Sequence, residues 1–278
     1  VLSPEDPHLN FSWLNEEREM HVKIMGKIQM EILTEILDTR FGLQARFGEP
    51  TVIYKETLMN AVHGEESYTM PKPCWAIVKF ELRTAPRGCG VTFKSSLSVD
   101  RVKQKYQNEI ATNVRESLKQ GIKGWEVTDI ELELVDGSDH VLHSRPGNFK
   151  TAMNMAVMKG LTQAGTHLLE PILAFHIAAP EMHVGKISSD IIAMRGGLEP
   201  AEASGGICQI AGKLPLATSM DYPMRLSSLT GGRAKISLRF HGYALCPEVH
   251  GVIRPYKGIS PLDRAKYILK ERGAITER

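Results

Sequence analysis

This 278-residue sequence lacks paired cysteines, long apolar runs and a signal-peptide pattern. Its four cysteines, Cys74, Cys89, Cys208 and Cys246, are isolated, so neither a disulfide scaffold nor a zinc site is indicated and a reducing compartment is expected. No stretch approaches the roughly 20 apolar residues that span a bilayer, and no basic segment followed by an apolar one opens the chain. We therefore expect a cytoplasmic protein without a membrane segment.

Complete motifs for nucleotide and metal binding are also missing. A phosphate-binding loop needs correctly spaced glycines followed by lysine and a hydroxyl residue, because backbone amides must wrap the phosphates. The nearest approach, "GGICQIAGKL" at residues 205–214, has the wrong spacing and ends in Leu214, so we predict a strand there. Two pairs of potential metal ligands lack the second pair that a structural site requires: His140 with His143, and Cys246 with His250. A hydrogen-bonding or RNA-facing role is the more common one for such loop histidines.

Catalytic side chains are equally sparse. Glu131 and Glu133 point the same way along a predicted strand and could form an acid pair. Solvent-facing carboxylates on a half-buried strand are the commoner explanation, and no neighbouring base is evident. Ser95, Ser96 and Ser98 lie in a strand-like run without the glycines of a nucleophile elbow. The sequence therefore favours a shaped binding protein over an enzyme.

Several stretches alternate between apolar and polar side chains, as a strand with one buried face does. They are residues 19–24, 78–83, 130–134 and 235–240. Sheets with one exposed face are common among antiparallel and mixed sheets and rare among doubly wound parallel ones. The predicted fold class is α+β, with antiparallel or mixed sheets.

Apolar stripes with helical spacing predict helices packed on these sheets. They cover residues 28–41, 102–118 and 149–164. Asp100 is placed to cap the second helix and Asn148 the third, which Gly165 is expected to end. A closing helix is predicted to start with Ser260 as N-cap and Pro261 at the first helical position.

The order of elements predicts three small modules and a tail. Residues 1–62 form a partial ferredoxin-like module that lacks its first strand and helix, and residues 63–168 form a second module that opens with a linker at 63–73. Residues 169–253 have the βαββαβ order of a ferredoxin-like module. The tail, 254–278, contains seven Lys or Arg and three Asp or Glu, a net charge of +4, although the whole chain carries only +2. Such a tail suits a nearby polyanion, and a solvated surface helix is an equally good explanation.

Three groups of motifs carry a resemblance to a known family. The first comprises "EDPHLNF", "MGKIQMEILTEILDTRFGL" and "EPTVIYKE"; the second "KPCWAIVKFEL", "GCGVTFKSSLSVDRVKQKYQNEI" and "GIKGWEVTDIELEL"; the third "AGTHLLEPILAFHIAAPE" and "LSSLTGGRAKISLRFHGY". In this order they resemble domains III, IV and V of the elongation factor G superfamily of translational GTPases. Within it, "GKIQMEI", "PCWA", "AGTHLLEP" and the tail "IRPYKGISPLDRAKYILKER" are similar to the ribosomal protection proteins that confer tetracycline resistance.

The resemblance implies a fold, partners and cofactors. Domains III and V of the family are ferredoxin-like, and domain IV is a ribosomal-protein-S5-like βα domain with a protruding tip. The complete protein would carry an N-terminal GTPase domain with GTP and Mg, so no cofactor, metal or catalytic residue is expected in this part. The implied partner is the ribosome: small-subunit rRNA at the decoding centre meets domain IV, and the GTPase-associated region of the large subunit meets domain V. A monomer is expected.

The resemblance also locates a candidate site, because the family's tip is the loop between the last strand and helix of domain IV. Its expected rRNA-binding residues are Asp139, His140, Val141, Leu142, His143, Ser144, Arg145, Pro146, Gly147, Asn148 and Lys150. A neighbouring tip loop is expected at Arg87, Gly88, Cys89 and Gly90, and further contacts at Arg264, Lys266 and Tyr267 of the C-terminal helix.

The residue types of the tip suit RNA. Arg145 and Lys150 can meet phosphates, while His140 and His143 can stack on bases or donate hydrogen bonds. Pro146 restricts the backbone, so less entropy is lost on docking. The following helix N-terminus offers amide donors and a favourable dipole to phosphate.

Three functions remain open. The first is a GTP-dependent protection factor that releases tetracycline from the ribosome. The second is a translocation GTPase paralogue, because tips of characterised protection proteins usually show a tyrosine pair and two prolines. This chain has only Pro146 and Phe149 of that pattern, and its "DGSDH" resembles the tip of elongation factor G. The third is a free-standing RNA-binding module.

Overall fold

The computed structural model describes residues 11–14, 19–22, 27–70 and 74–275. The chain divides into two compact units. The first comprises Val1–Val52 with Pro171–Gly242, and the second comprises Ile53–Glu170 with Tyr243–Arg278. The predicted domain boundaries after residues 62, 168 and 253 stay predictions. Within the described ranges, no helix has the length and apolar character that crossing a bilayer requires.

The described elements alternate between strands and helices. The strands are β1 (Phe11–Leu14), β2 (Glu19–Val22), β3 (Lys55–Leu58), β4 (Val62–Met70), β5 (Cys74–Thr84), β6 (Val91–Ser95), β7 (Glu126–Val127), β8 (Ile130–Ser138), β9 (Thr166–Pro180), β10 (Gly197–Leu198), β11 (Glu202–Ser204), β12 (Ile207–Pro215) and β13 (Lys235–Leu245). The helices are α1 (Lys27–Phe41), α2 (Gln104–Ser117), α3 (Asn148–Ala164), α4 (Val184–Ala193), α5 (Leu216–Ser219), α6 (Tyr222–Thr230) and α7 (Arg264–Glu271).

A four-stranded sheet in the order β4-β5-β8-β6 forms the frame of the second unit. β5 pairs antiparallel with β4 and β8, whereas β6 runs parallel to β8. Every second residue of β5 from Cys74 to Leu82 is buried, because helices cover one face of the sheet. The predicted α+β class with mixed sheets is confirmed.

The helix α3 packs closely on β4 at a position where the strand has no side chain. A Cβ atom at Gly64 would collide with the backbone carbonyl of Ala156 on α3, and Gly160, one turn later, lies against Gly64. The close packing of α3 on β4 encloses a hydrophobic core. The sheet, α2 and α3 contribute to it, for example through Phe80, Ile110 and Phe149. Glycine is therefore required at residue 64 for packing.

The C-terminal segment belongs to the same unit. Tyr267 and Ile268 of α7 are buried in its core. On β4, the buried carboxylate of Glu66 lies 2.5 Å from Nζ of Lys159 on α3 and 2.9 Å from Nε of Arg264 on α7. One carboxylate thus joins a strand and two helices that are far apart in sequence.

Two short strands complete the second unit. β3 pairs antiparallel with the first residues of β9 and parallel with β7. The fully buried Glu56 carboxylate accepts hydrogen bonds from the amides of Lys123 and Trp125 and from the Thr166 hydroxyl. Burial raises the pKa of Glu56 above its ordinary value, and these hydrogen bonds oppose the rise. The carboxylate fixes the loop that leads into β7.

The first unit contains the predicted βαββαβ arrangement, which is confirmed. Its strands lie in the order β13-β9-β12-β10, and β11 also pairs with β12. β9 and β12 are antiparallel, with Ile177 opposite Ile210. Phe175, Ile187 and Leu226 meet in a core between this sheet and the helices α4 and α6. The N-terminal residues of the unit form the antiparallel pair β1-β2 and then α1.

One predicted segment differs from the structure, and the motif "EPTVIYKE" is regular only at its end. Residues 49–54 are irregular, and β3 begins at Lys55. The predicted linker at 63–73 is wrong over residues 63–70, which belong to β4. The buried positions of β4 are Gly64, Glu66 and Tyr68, so the sequence does not show the apolar–polar alternation by which a strand is recognised. Residues 71–73, and residues 23 and 24 of the predicted strand 19–24, lie outside the described ranges.

The predicted N-caps of the second helix and of the last helix are both wrong. Asp100 does not cap α2, which begins at Gln104. Ser260 does not cap the last helix either; the cap is Asp263, whose carboxylate accepts the Lys266 amide. At the C-terminal end of α3, Gly165 has φ 74° and follows the last helical residue, as predicted.

Candidate nucleic-acid interface at the tip of the second unit

The segment between β8 and α3 is an exposed tip at one end of the four-stranded sheet. Val141 and Leu142 are 78% and 69% exposed, and residues 145–147 are exposed as well. Ser144 and Phe149 are buried. The tip therefore presents most of its predicted residues to solvent while two side chains anchor it to the unit.

Ser144 is the central anchor of the tip. Its hydroxyl donates to the carbonyl of Trp75 at 2.6 Å and accepts the amide of His140 at 2.9 Å. Its carbonyl accepts the hydroxyl of buried Tyr106 on α2 at 2.9 Å, and the Tyr106 ring stacks on Phe149 at 4.6 Å. The loop is thus fixed to β5, α2 and α3, so it needs little ordering when it binds a partner.

Asp139 joins the tip to the start of α2. Its carboxylate accepts the backbone amide of Lys103 at 3.0 Å, and its own amide donates to the carbonyl of Arg101. This places the exposed residues Lys103 and Lys105 on an element that is tied to the tip. Asp139 therefore has a structural partner, and the positive charge beside the tip comes partly from α2.

The two tip histidines form part of an aromatic stack. The rings of His140 and His143 lie 4.4 Å apart at 25°, and His140 also lies 5.5 Å from Trp75. The amide of Leu142 donates to Nδ1 of His140 at 3.2 Å, which fixes that ring against the loop backbone. His143 is exposed, so the stack ends at solvent. A flat ring held in this way is suited to stacking on an unpaired base.

The start of α3 differs from the prediction. Gly147, with φ 87°, occupies the N-cap position, and Asn148 is the first helical residue. The Asn148 side-chain oxygen accepts the amide of Arg145 at 2.9 Å, and the amide of Lys150 donates to the Glu109 carboxylate on α2. Asn148 therefore closes the loop instead of capping the helix. Because Glu109 already complements the helix dipole, this end of α3 offers less to a phosphate than predicted.

Two cations of the tip remain available to a partner. Within the described part of the chain, neither the Arg145 guanidinium nor the Lys150 ammonium has a hydrogen bond or ion pair. Side-chain cations that have no ion pair of their own are the electrostatic footprint expected of a phosphate-binding face. Across the residues with described positions, no three His, Cys, Asp or Glu side chains gather as metal ligands.

The predicted neighbouring tip loop, Arg87 to Gly90, is at the wrong end of the sheet. β5 starts beside the tip, where Ile77 pairs with Ser138, and ends at Thr84 opposite Ile130. The loop follows Thr84, and its Gly88 and Gly90 amides donate to the buried Asp129. Arg87 binds Asp129 and Thr57. The start of β5, and not this loop, adjoins the tip, because β5 runs away from it.

The C-terminal helix also differs in part from the prediction. Tyr267 is buried and its hydroxyl accepts the Asn154 side-chain amide at 2.6 Å, so its ring does not face a partner. Arg264 is held by Glu66 and by the Ser67 carbonyl. Lys266 is exposed and paired with Asp263 on its own helix. Burial removes Tyr267 from any RNA contact, and the buried Glu66 carboxylate offsets the positive charge of Arg264.

The acid-pair interpretation of Glu131 and Glu133 does not fit the geometry. Glu133 lies 3.0 Å from both Arg83 and Lys94, and the Ser96 hydroxyl donates to it. The hydrogen bonds from Ser96 and Lys94 lower the pKa of Glu133 to about 2. A carboxylate held ionised by two cations serves the sheet and is poorly suited to general acid catalysis.

Several tip residues were missed by sequence reasoning. Trp75 and Tyr106 support the loop from β5 and α2, and neither carries a local signal for that role. Lys103 and Lys105 could have been found from the basic run "RVKQK" at residues 101–105. Their proximity to the tip depends on the bond between Asp139 and α2, which sequence spacing does not reveal.

Comparisons with known proteins agree with this architecture. The family model "Elongation factor G, domain IV" matches residues 50–165, and "Elongation factor G C-terminus" matches residues 167–251. The tetracycline resistance protein TetP of Clostridium perfringens is 32% identical over 100% of this chain and 43% of its own length. TetM of Enterococcus faecalis is 27% identical over 97% of the chain and 42% of its own length.

Two further relatives extend the comparison. The elongation factor G-like protein of Thermotoga maritima is 30% identical over 88% of this chain and 37% of its own length. A crystal structure of a Thermus thermophilus protein superposes with a TM-score of 0.72 and 26% identity, covering 99% of this chain and 40% of that one. The chain thus spans less than half the length of these relatives. The two adjacent family models, at residues 50–165 and 167–251, show that this chain carries domain IV and the C-terminal domain of the elongation factor G family.

Proposed function

We propose that this chain is the ribosome-binding part of a GTP-dependent protection factor that releases tetracycline from the decoding region of the small subunit. The parent would supply GTP, Mg and the GTPase domain, and this part would supply binding and coupling. It would act as a monomer in the cytoplasm, where ribosomes are. The observation that carries the proposal is similarity along the entire chain to TetP, combined with an exposed tip anchored on three elements.

The geometry of the tip supports an RNA partner. Arg145 and Lys150 are available to phosphates, and the stacked His140 and His143 end in solvent. The anchor at Ser144 keeps this surface in one arrangement. Such preorganisation lowers the entropy cost of docking. Residues 169–253, the predicted domain V, would lie toward the GTPase-associated region of the large subunit.

A drug-tolerance assay tests the proposed role. The full-length gene is expressed in a tetracycline-sensitive host, and the minimal inhibitory concentration is compared with that of a variant carrying Arg145→Ala. Higher tolerance with the wild-type gene, reduced by the substitution, is expected. Unchanged tolerance in a host that makes the protein would remove the protection role.

A second candidate is a translocation factor resembling elongation factor G. It is favoured by the 30% identity to the Thermotoga elongation factor G-like protein and by the "DGSDH" sequence at the start of the tip. A reconstituted translocation assay separates the two roles. A GTP-dependent increase in translocation rate, without drug tolerance in the host, would select this alternative.

Ribosome binding by the 278-residue chain can be measured directly. We expect Arg145→Ala to weaken binding to small subunits and to lower the salt dependence of the affinity by about one phosphate contact. Arg115, exposed near the end of α2, supplies a matched control that removes the same charge. An unchanged salt slope for Arg145→Ala would show that this side chain does not meet RNA.

A further inference from the structure

A cleft of about 400 Å³ lies between the tip and the residues that follow α7. Its walls include Arg145 and Asn148 from the tip and Arg272 from the C-terminal segment. Volumes of this size lie at the lower end of the range for small-ligand sites. The cleft therefore suits one nucleotide-sized group.

Arg272 is held in place at the wall of this cleft. Its Nε donates to the hydroxyl of Tyr68 at 3.1 Å, and its Nη2 lies 3.2 Å from Sγ of Cys74. Tyr68 and Cys74 are both buried, whereas Arg272 is exposed. A guanidinium has five N–H donors in a planar fork, so donors remain after these two contacts. The residue is fixed and still able to bind an anion.

Arg145 brings a second positive charge to the same cleft. Its backbone amide is bound by Asn148, which orients the residue, while its side chain has no partner among the residues whose structure is described. Glu271 also lines the cleft and brings one negative charge to it. Two guanidinium groups and one carboxylate leave a net charge of +1 in the lining, so the balance favours an anion.

We propose that this cleft binds one phosphodiester group of ribosomal RNA between Arg145 and Arg272. The proposal rests on the proposed function, because the RNA strand that meets the tip would continue into the cleft. Bidentate recognition of a phosphate is the contact for which an arginine fork is best suited. The C-terminal segment then contacts RNA through Arg272, a residue outside the predicted set.

Affinity measurements on the complete 278-residue chain test the shared site. Arg145→Gln, Arg272→Gln and the double variant are titrated against purified small ribosomal subunits and against a single-stranded RNA oligonucleotide. Each single substitution should weaken binding about tenfold, because a charge-assisted hydrogen bond is lost. The double variant should also lose about tenfold, since both side chains hold the same group. Arg115→Gln, the matched control, should change affinity less than about twofold.

Each alternative result has a distinct meaning. A loss of about a hundredfold in the double variant would reveal two independent contacts and overturn the shared site. An effect of Arg272→Gln no larger than that of Arg115→Gln would overturn it as well, while leaving the ribosomal role intact. Failure of the wild-type chain to bind either ribosomal subunits or RNA would overturn both proposals.

A measurement on the wild-type chain guards against misfolded variants. Phenylglyoxal modifies exposed arginines, and mass spectrometry gives the extent of reaction at each residue. Bound RNA should protect Arg145 and Arg272 and leave Arg115 reactive. Full reactivity of Arg272 in the complex would overturn the cleft site, whatever the variants do. Protection by inorganic phosphate alone, without protection by RNA, would assign the cleft to a free anion and also overturn the proposal.

Discussion

Replacing Ser144 with alanine should loosen the tip without changing its charge. The Ser144 hydroxyl makes two hydrogen bonds, one to the Trp75 carbonyl and one from the His140 amide, and the residue is only 7% exposed. Each such bond contributes about 1 kcal/mol to stability. Their loss should therefore favour local opening of the tip by about 2 kcal/mol, which is a factor of about 30 in the opening equilibrium.

Amide hydrogen exchange measures this opening where it occurs. In the wild-type chain the His140 amide is protected by the Ser144 hydroxyl, so its exchange reports the anchor itself. Exchange should accelerate about thirtyfold in Ser144→Ala, while amides in the middle of α3 should keep their rates. Affinity for the small subunit should fall in parallel, because a looser loop loses more entropy on docking.

A matched substitution separates the anchor from a general loss of hydroxyl groups. Thr112 is exposed on α2, and its hydroxyl donates back to carbonyls of its own helix. Thr112→Ala should leave exchange at His140 unchanged. Equal exchange of His140 in Ser144→Ala and in the wild-type chain would refute the assignment of Ser144 as the anchor.

Three further predictions concern stability. The pKa of Glu133 is lowered from 4.5 to about 2, so the contribution of its carboxylate to stability is present above about pH 4.5 and is lost as the pH falls toward 2. In urea titrations across that pH window, the free energy of unfolding of Glu133→Gln should therefore change less with pH than that of the wild-type chain. Glu66→Gln should cost about 2 kcal/mol, because two charge-assisted hydrogen bonds are weakened while the half-exposed cations stay solvated. Glu116→Gln, which breaks an exposed pair, should cost under about 1 kcal/mol in the same urea titration. Gly64→Ala should lower the thermal midpoint, because the new methyl group would collide with α3. Gly185→Ala, which adds a methyl group in open space on α4, should raise stability by about 0.5–1 kcal/mol. A destabilised Gly185→Ala would contradict the packing argument.

Patterns of hydrophobicity identified the elements that have one buried face. The alternation at residues 78–83 and 130–134 predicted the second half of β5 and the first half of β8, and the helical stripe at 149–164 predicted α3 almost residue for residue. β4 was missed because its inward positions do not look apolar. Gly64 is there so that α3 can approach, and Glu66 is buried with two cations. Residues 62–70 therefore form a strand because of their tertiary contacts, which the local hydrophobic pattern does not show.

The candidate site was predictable as a loop but not as a structure. The family resemblance implied that Arg87 to Gly90 would accompany the tip, yet the residues of this loop do not show which end of the sheet it occupies. Strand register decides that, and it places Trp75 at the tip instead. Ser144 and Trp75 are 69 residues apart in sequence, so no spacing rule could have paired them. The anchor depends on the register of β5 against β8.

The buried contacts of α7 make the C-terminal segment part of the tip-bearing unit. The Tyr267 hydroxyl meets Asn154 on α3, the helix that starts at the tip, and burial raises the pKa of that tyrosine. Arg264 neutralises Glu66 together with Lys159. Loss of this segment would expose core residues and leave a buried carboxylate with one cation fewer, so it would weaken the scaffold of the tip as well as remove Arg272. Under the proposed function, changes in the C-terminal segment would therefore affect ribosome binding by two physical routes, and the charge at Arg272 would be the one that acts through RNA directly.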